Sequence, residues 1–244
     1  MQNSRYEHFE IIGVSNDSSE PATQALMQRL ANEYERVRFI EHNIAFNFSA
    51  LVNFGAQQAK GEYLVLLNND IEIQSADWLE QLLGFASQEE IGAVGGQLLF
   101  PDGRVQHIGL HLDEQGLPVH THKNAPSNWP QLAHDVGKAR RVSAVTGAML
   151  MVKTSVYQEL GGFDEQNFAV AFNDVDFGLR LLERGMHNVY TPHALAIHHE
   201  SISRGYEDTV AKKQRFAAEQ AAFARRHTEL IRQGDRYFPA RWFS

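Results

Sequence analysis

The sequence contains no cysteine. That absence excludes disulfides and thiolate metal sites and fits a reducing compartment. No apolar run approaches the ~20 residues that a membrane-spanning helix needs. The first residues, Met1 to His8, hold no apolar core and do not read as a secretory signal. Cytoplasmic localisation is the expectation, with peripheral association at the inner face of the cell membrane left open. Positive charge is scarce: 22 Lys and Arg stand against 30 Asp and Glu, for a formal net charge of −8. Nucleic acid is therefore excluded as the main partner, since phosphate-backbone binding needs a net basic surface. A small phosphate-bearing ligand is not excluded, because a bound divalent cation supplies local positive charge. No Gly-Lys-Ser/Thr run is present, which excludes a P-loop nucleotidase. Gly92-Ala93-Val94-Gly95-Gly96 has the wrong spacing for a dinucleotide fingerprint, which counts against a nicotinamide enzyme.

What is present points to a globular enzyme. The 244 residues fit one large domain, or one domain with a small appendage. Hydrophobic residues at 43% and charged residues at 21% suit a soluble protein with a sizeable core. Phe9–Val14 reads as a short buried strand. A helix is expected from about Pro21, capped by Ser18 or Ser19, with Ala22, Leu26 and Leu30 on its apolar face. Val37–Ile40 is a second strand. Phe48, Leu51, Val52, Gly55, Ala56 and Ala59 recur at helical spacing, with Gly61 as the stop. Tyr63–Leu67 is an unbroken apolar run, as in a strand buried on both faces, and it ends abruptly in Asn68-Asn69-Asp70. A helix around Trp78–Ala86 and a strand near Ala93–Phe100 follow. This alternation predicts an α/β fold: a mostly parallel, Rossmann-like sheet with helices on both faces, in three α/β/α layers. In such sheets ligands bind at the carboxyl ends of strands, so Ser15-Asn16-Asp17 and Asn68-Asn69-Asp70 are expected at one crevice.

The second half is less regular. Residues from about Asp113 to Arg141 show no period and read as a long loop or flap. Val142–Val152 is another apolar run, Asp174–Glu183 a helix, and Glu207–Ile231 an amphipathic helix of a C-terminal tail. There is no internal repeat.

Two oxygen-bearing side chains two residues apart, Asn68 and Asp70, can reach a hard cation such as Mg²⁺ or Mn²⁺. Such a cation neutralises a departing diphosphate. A polar strand-to-loop turn explains the same residues equally well. Likewise Asp174 and Asp176 suit either proton transfer or a helix N-terminus. A zinc site on His111, His120 and His122 is disfavoured by irregular spacing and the lack of a fourth ligand.

Several stretches, in order along the chain, resemble the family 2 glycosyltransferases of GT-A fold, and particularly their rhamnosyltransferase-like and O-antigen branch. They are Asn47-Phe48-Ser49-Ala50 with Asn53-Phe54-Gly55-Ala56, Gly61-Glu62-Tyr63 leading to Leu67-Asn68-Asn69-Asp70, and Gly103-Arg104-Val105-Gln106-His107-Ile108-Gly109. Further along come Thr146-Gly147-Ala148, Gly161-Gly162-Phe163-Asp164-Glu165, Asn173-Asp174-Val175-Asp176 and His198-His199-Glu200-Ser201 with Ser203-Arg204-Gly205. The resemblance implies a GT-A domain over residues 1–205, followed by a helical tail over 206–244. It implies that a sugar is transferred from a nucleoside-diphosphate donor to a hydroxyl of a glycan or lipid-linked acceptor. The transfer would be inverting and assisted by Mg²⁺ or Mn²⁺, in cell-surface polysaccharide biosynthesis.

By the same resemblance Asp174 is the catalytic base, and Asp70, Asn68 and His198 are on the metal side. Asn16, Asp17, Asn69 and Arg204 fall on the donor side. Thr146, Gly147 and Asp176 fall on the acceptor side, with Asp176 also supporting its helix start. Two departures stand out. Asn68 and Ser15 occupy positions where the family commonly has aspartate, and the family's first central strand has no counterpart. The alternative is a catalytically impaired GT-A fragment that binds a glycan or a protein. A homodimer is also left open.

Overall fold

The computed structural model describes residues 4–199 and 209–237. From the N-terminus the elements are β1 (Ile11–Ser15), α1 (Pro21–Glu33), β2 (Val37–Glu41), α2 (Phe48–Gln58), β3 (Tyr63–Leu67) and β4 (Ile71–Ile73). Next come α3 (Trp78–Ala86), β5 (Ile91–Leu99), β6 (Val105–His107), β7 (Leu110–Leu112), β8 (Pro118–His120) and α4 (Ala133–Gly137). The chain closes with β9 (Arg140–Val142), β10 (Met149–Lys153), α5 (Thr154–Glu159), α6 (Asn173–Glu183), β11 (His187–His198), α7 (Val210–Arg226) and α8 (Thr228–Gln233).

The main sheet has seven strands, in the order β3-β10-β5-β11-β4, with β6 on β5 and β9 on β11. Its strand directions are mixed. β5 and β11 pair in parallel, whereas β10 runs antiparallel to both β3 and β5. All but the last residue of β5 are buried, because this strand lies inside the sheet with helices over both faces. Successive side chains of a strand point to opposite faces, and the core divides accordingly. Leu64, Leu66, Ala93, Leu150 and Val152 join a cluster with Ala56 of α2, Tyr157 of α5 and Phe177 and Leu181 of α6. Val94, Leu98, Met149 and Met151 join a second cluster under Trp78, Leu79 and Leu82 of α3. These are the three expected layers. Leu82, Val94 and Leu98 are fully buried, and each contributes about 1.5–3 kcal/mol relative to an exposed side chain.

β1 and β2 form a separate two-stranded parallel sheet. Among the described strands none stands between β1 and β3, and β3 is an outer strand of the main sheet. The expectation that Tyr63–Leu67 is buried on both faces therefore needs correcting: Leu67 is 44% exposed at that edge. Helix α1 also departs from expectation. Its N-cap is Glu20, without a side-chain cap bond, and none of its residues is buried, so the Ala22-Leu26-Leu30 face covers no core.

The segment expected to be a loop from Asp113 to Arg141 carries structure of its own. β7 and β8 form a hairpin, and α4 precedes β9. The run Val142–Val152 is two short strands, with residues 143–148 as a connector between them. The single tail helix expected over Glu207–Ile231 breaks at His227 into α7 and α8. No described helix is long and apolar enough to cross a membrane.

Candidate active site

Asp174 sits in the first turn of α6. The residue before the helix, Phe172, has φ 63° and ψ −4°, a left-handed conformation that is strained for a bulky side chain. That turn reverses the chain and presents Asp174 to the connector between β9 and β10. Gly147 N–H donates to Asp174 Oδ2 at 2.9 Å, and Val175 N–H donates to Oδ1 at 2.8 Å. The Thr146 hydroxyl also bonds the carboxylate. Burial raises the Asp174 carboxyl above the ordinary aspartate range, and these three hydrogen bonds pull it only partly back. Gly147 contributes its N–H rather than empty space, since a Cβ there would meet Asp174 Cβ at an ordinary 3.6 Å. Gly178 of α6 is different: a Cβ there would lie 2.6 Å from that of Ala144. Its absence lets α6 lie close against the connector.

Asp176, two residues on, faces another environment. It is fully buried. Arg180 Nε donates to its Oδ2 at 2.8 Å, while Arg226 Nη1 and His227 Nε2 reach its Oδ1 at 2.9 and 3.0 Å. Burial alone would raise this carboxyl, but His227, Arg180 and Arg226 together hold it below the usual range. With no exposed surface and its oxygens saturated by cations, Asp176 ties α6 to α7. These contacts agree with the expectation that Asp176 supports the start of its helix.

The Asn68-Asn69-Asp70 turn joins this arrangement through the same connector. Asn68 N–H donates to Ala148 O at 3.0 Å, one residue past Gly147. His199 N–H donates to Asp70 O, which fixes the end of β11 beside the turn. His198 Nδ1 lies 2.6 Å from Gln106 Oε1, and Gln106 Nε2 donates to His198 O at 3.4 Å. The amide oxygen therefore accepts from Nδ1–H and fixes the ring with Nε2 toward Asp70 Oδ1, 3.1 Å away. Asp70 Oδ1 is buried, and among the described residues no hydrogen bond is made to it. The carboxylate and the second ring nitrogen thus face each other across a short gap. Carboxylate and neutral imidazole suit a divalent first-row metal, and the Gln106 contact to the second ring nitrogen is the orientation such ligands need. Among the described residues no group of three or more His, Cys, Asp or Glu side chains gathers to hold a metal by itself.

Gln106 and His107 were singled out by the sequence only as part of a resembling stretch. Adjacent on β6, they connect the two acidic centres. While Gln106 fixes His198, His107 Nε2 accepts from Thr146 N–H at 3.3 Å, and its Nδ1 lies 3.0 Å from His120 Nδ1. His107 therefore carries its proton on Nδ1 and donates it to His120. Burial drives both rings toward the neutral form, His107 well below the usual histidine value and His120 to about 3. The histidines once grouped as a zinc set separate into His107–His120, His111–Thr121 and His122–Asp135 contacts.

The donor-side residues are only partly gathered. Asn69 is exposed on the turn. Asn16 Oδ1 accepts from Ile44 N–H, and Asp17 N–H donates to Asn43 Oδ1. Both hydrogen bonds close the β1–β2 end rather than reaching the Asp70 turn, so the expected single crevice is not drawn together by hydrogen bonds. Arg204 lies outside the described residues.

The fold is that of the GT-A class. The chain matches the Glycosyl transferase family 2 over residues 1–161 and the Glycosyl transferase family group 2 over residues 105–237. It therefore belongs to glycosyl transferase family 2. It is similar to the O-antigen biosynthesis protein RfbC of Myxococcus xanthus, 39% identical over 84% of this chain and 16% of that protein. It is also similar to the N-acetylglucosaminyl-diphospho-decaprenol L-rhamnosyltransferase of Mycobacterium tuberculosis, 26% identical over 80% of this chain and 68% of that one. The chain spans a quarter or less of the length of the first two curated relatives it matches. Among solved structures it resembles the mannosyltransferase PcManGT from Pyrobaculum calidifontis in complex with GDP-Man and Mn²⁺. That likeness has a TM-score of 0.62 at 15% identity, over 92% of this chain and 58% of that one.

Proposed function

We propose that this chain is the catalytic domain of an inverting glycosyltransferase. It would move a sugar from a nucleoside-diphosphate donor to a hydroxyl of a glycan or lipid-linked acceptor in cell-surface polysaccharide assembly. The observation that carries this reading is Asp174: a carboxyl held by Gly147 N–H and Thr146 at the start of α6, with its affinity for a proton raised by burial. Such a group accepts a proton more readily than an ordinary aspartate. Asp174 takes the proton of the acceptor hydroxyl as that oxygen bonds to the anomeric carbon. The bond from that carbon to the diphosphate oxygen breaks on the opposite face, so the configuration inverts. Thr146 and Gly147 hold the base and border the acceptor.

Asp70 and His198 would hold a divalent cation, with Asn68 beside them; when bound it supplies positive charge to the departing diphosphate. Asn16, Asp17, Asn69 and Arg204 remain the donor-side assignment. The relation to the O-antigen protein and to the rhamnosyltransferase supports a hexosyl or deoxyhexosyl donor. The presence of GDP-Man and Mn²⁺ in the mannosyltransferase supports the metal. Calorimetry with Mn²⁺ and a panel of UDP-, dTDP- and GDP-sugars tests the proposal. Binding of one donor that depends on Mn²⁺ is expected. An absence of heat across the panel would overturn the enzyme reading and leave a glycan- or protein-binding module.

A further inference from the structure

Helix α7 touches the Asp174 turn on both sides of the base. Ahead of it, Glu219 Oε1 accepts from Val170 N–H at 3.1 Å and Oε2 accepts from Ala171 N–H at 2.8 Å. Next in sequence is Phe172, whose left-handed conformation is strained for a bulky residue and persists only where surroundings enforce it. Its ring packs at 5.2 Å from Phe216 and 5.3 Å from Phe223, both on α7. Beyond the base, Arg226 and His227 at the end of α7 grip Asp176. Positions 170, 171, 172 and 176 are thus all held by one helix that begins 34 residues downstream of Asp176, at Val210.

Glu219 is the informative member. It is 4% exposed, and burying a carboxylate is costly unless hydrogen bonds repay it. A helix serving only to cover the apolar surface around Phe168 and Leu179 would place an apolar side chain there. A carboxylate that spends both oxygens on two consecutive backbone N–H groups instead fixes the path of the main chain just before Phe172.

We propose that α7 is a positioning element for the base, with Glu219 as its principal positioning residue and Phe216 and Phe223 holding the strained Phe172 turn. This rests on the reading of Asp174 as the base. The full chain carrying Glu219→Gln tests it, since glutamine keeps the size but presents one acceptor instead of two. Hydrogen exchange at the Val170 and Ala171 amides should quicken at least tenfold while exchange in β5 stays unchanged. The carboxyl carbon of Asp174, followed by NMR in ¹³C-labelled protein, should titrate closer to an ordinary aspartate. Release of nucleoside diphosphate from the UDP-, dTDP- and GDP-sugar panel should fall about tenfold in kcat with KM for the donor unchanged. A part that merely stabilised the fold would shift none of the last two. Phe216→Ala, at a partly exposed ring that folding tolerates, should move the same readouts in the same direction, about threefold. Unchanged exchange and titration in both variants, with Asp174→Asn inactive, would overturn the positioning role alone. An active Asp174→Asn variant would overturn the base assignment and, with it, the positioning role.

Discussion

Asp174 and Asp70 are both carboxylates where a regular element meets a turn, yet the protein treats them in opposite ways. Every oxygen of Asp174 is spoken for by backbone N–H groups and a hydroxyl, and α6 is gripped from behind through Asp176. Asp70 keeps a buried oxygen without a hydrogen bond among the described residues, 3.1 Å from His198 Nε2. The first arrangement is complete as it stands. The second leaves a carboxylate oxygen within reach of a further group. On the proposed reading, a base waits in one place with its proton affinity already set, whereas a metal ligand keeps an oxygen available.

The largest effect expected from breaking the comparison is at the completed centre. Asp174→Asn should lower turnover by about 10²–10⁴-fold, the usual contribution of a positioned general base, and leave donor binding by calorimetry intact. Retained turnover would return Asp174 to a purely structural role at the helix start. The same variant separates the two neighbouring acids in stability. A carboxyl raised in the folded state contributes stability below its unfolded pKa and loses it as pH rises through the folded one. Near neutral pH, Asp174→Asn should therefore melt no lower than the parent.

Asp176 has the reverse sign. Its lowered carboxyl contributes stability above the ordinary value of 3.8, and that contribution is lost as pH falls through the folded value. Asp176→Asn leaves Arg180, Arg226 and His227 without their shared partner. Chemical denaturation at pH 7 should show a loss of about 3–5 kcal/mol, as for one member removed from a buried charge pair.

Weaker still is the effect expected at the incomplete centre. Gln106→Leu removes the contact that sets the His198 tautomer, and outer-sphere partners of this kind carry about 10–100-fold in metal affinity. Mn²⁺ titration should show that loss with Asp174-dependent features unaltered; parental affinity would show that His198 orients itself. The mildest probe is pH. On the proposed reading Asp174 works only when deprotonated, and its carboxyl is raised, so the acid limb of the kcat profile should lie above 3.8. A limb at or below that value would mean that burial does not govern the group.

Much of this was legible in the chain. The apolar run Tyr63–Leu67 ending in Asp70, the period of Phe48–Ala59, and the helix carrying Asp174 all follow from local pattern, and each is observed within a few residues. The residues that sequence reasoning missed act across distance. Gln106 meets His198 over 92 positions, and Glu219 meets Val170 over 49. No periodicity encodes such pairs. The one hint was compositional: polar residues, Gln106 and His107, set between Val105 and Ile108 in a stretch otherwise fit for a core. The exposed face of α1 failed for the opposite reason, since an apolar stripe predicts burial only where another surface lies against it.

β6 is three residues long and buried throughout. Neighbouring side chains on a strand leave on opposite faces, so Gln106 reaches His198 and His107 reaches Thr146. A single-residue insertion in Gly103–Gly109 would exchange their faces and disconnect both centres at once. Related chains should therefore vary the length of this stretch outside the strand and keep its polar pair in phase, which makes β6 a reading frame for the site.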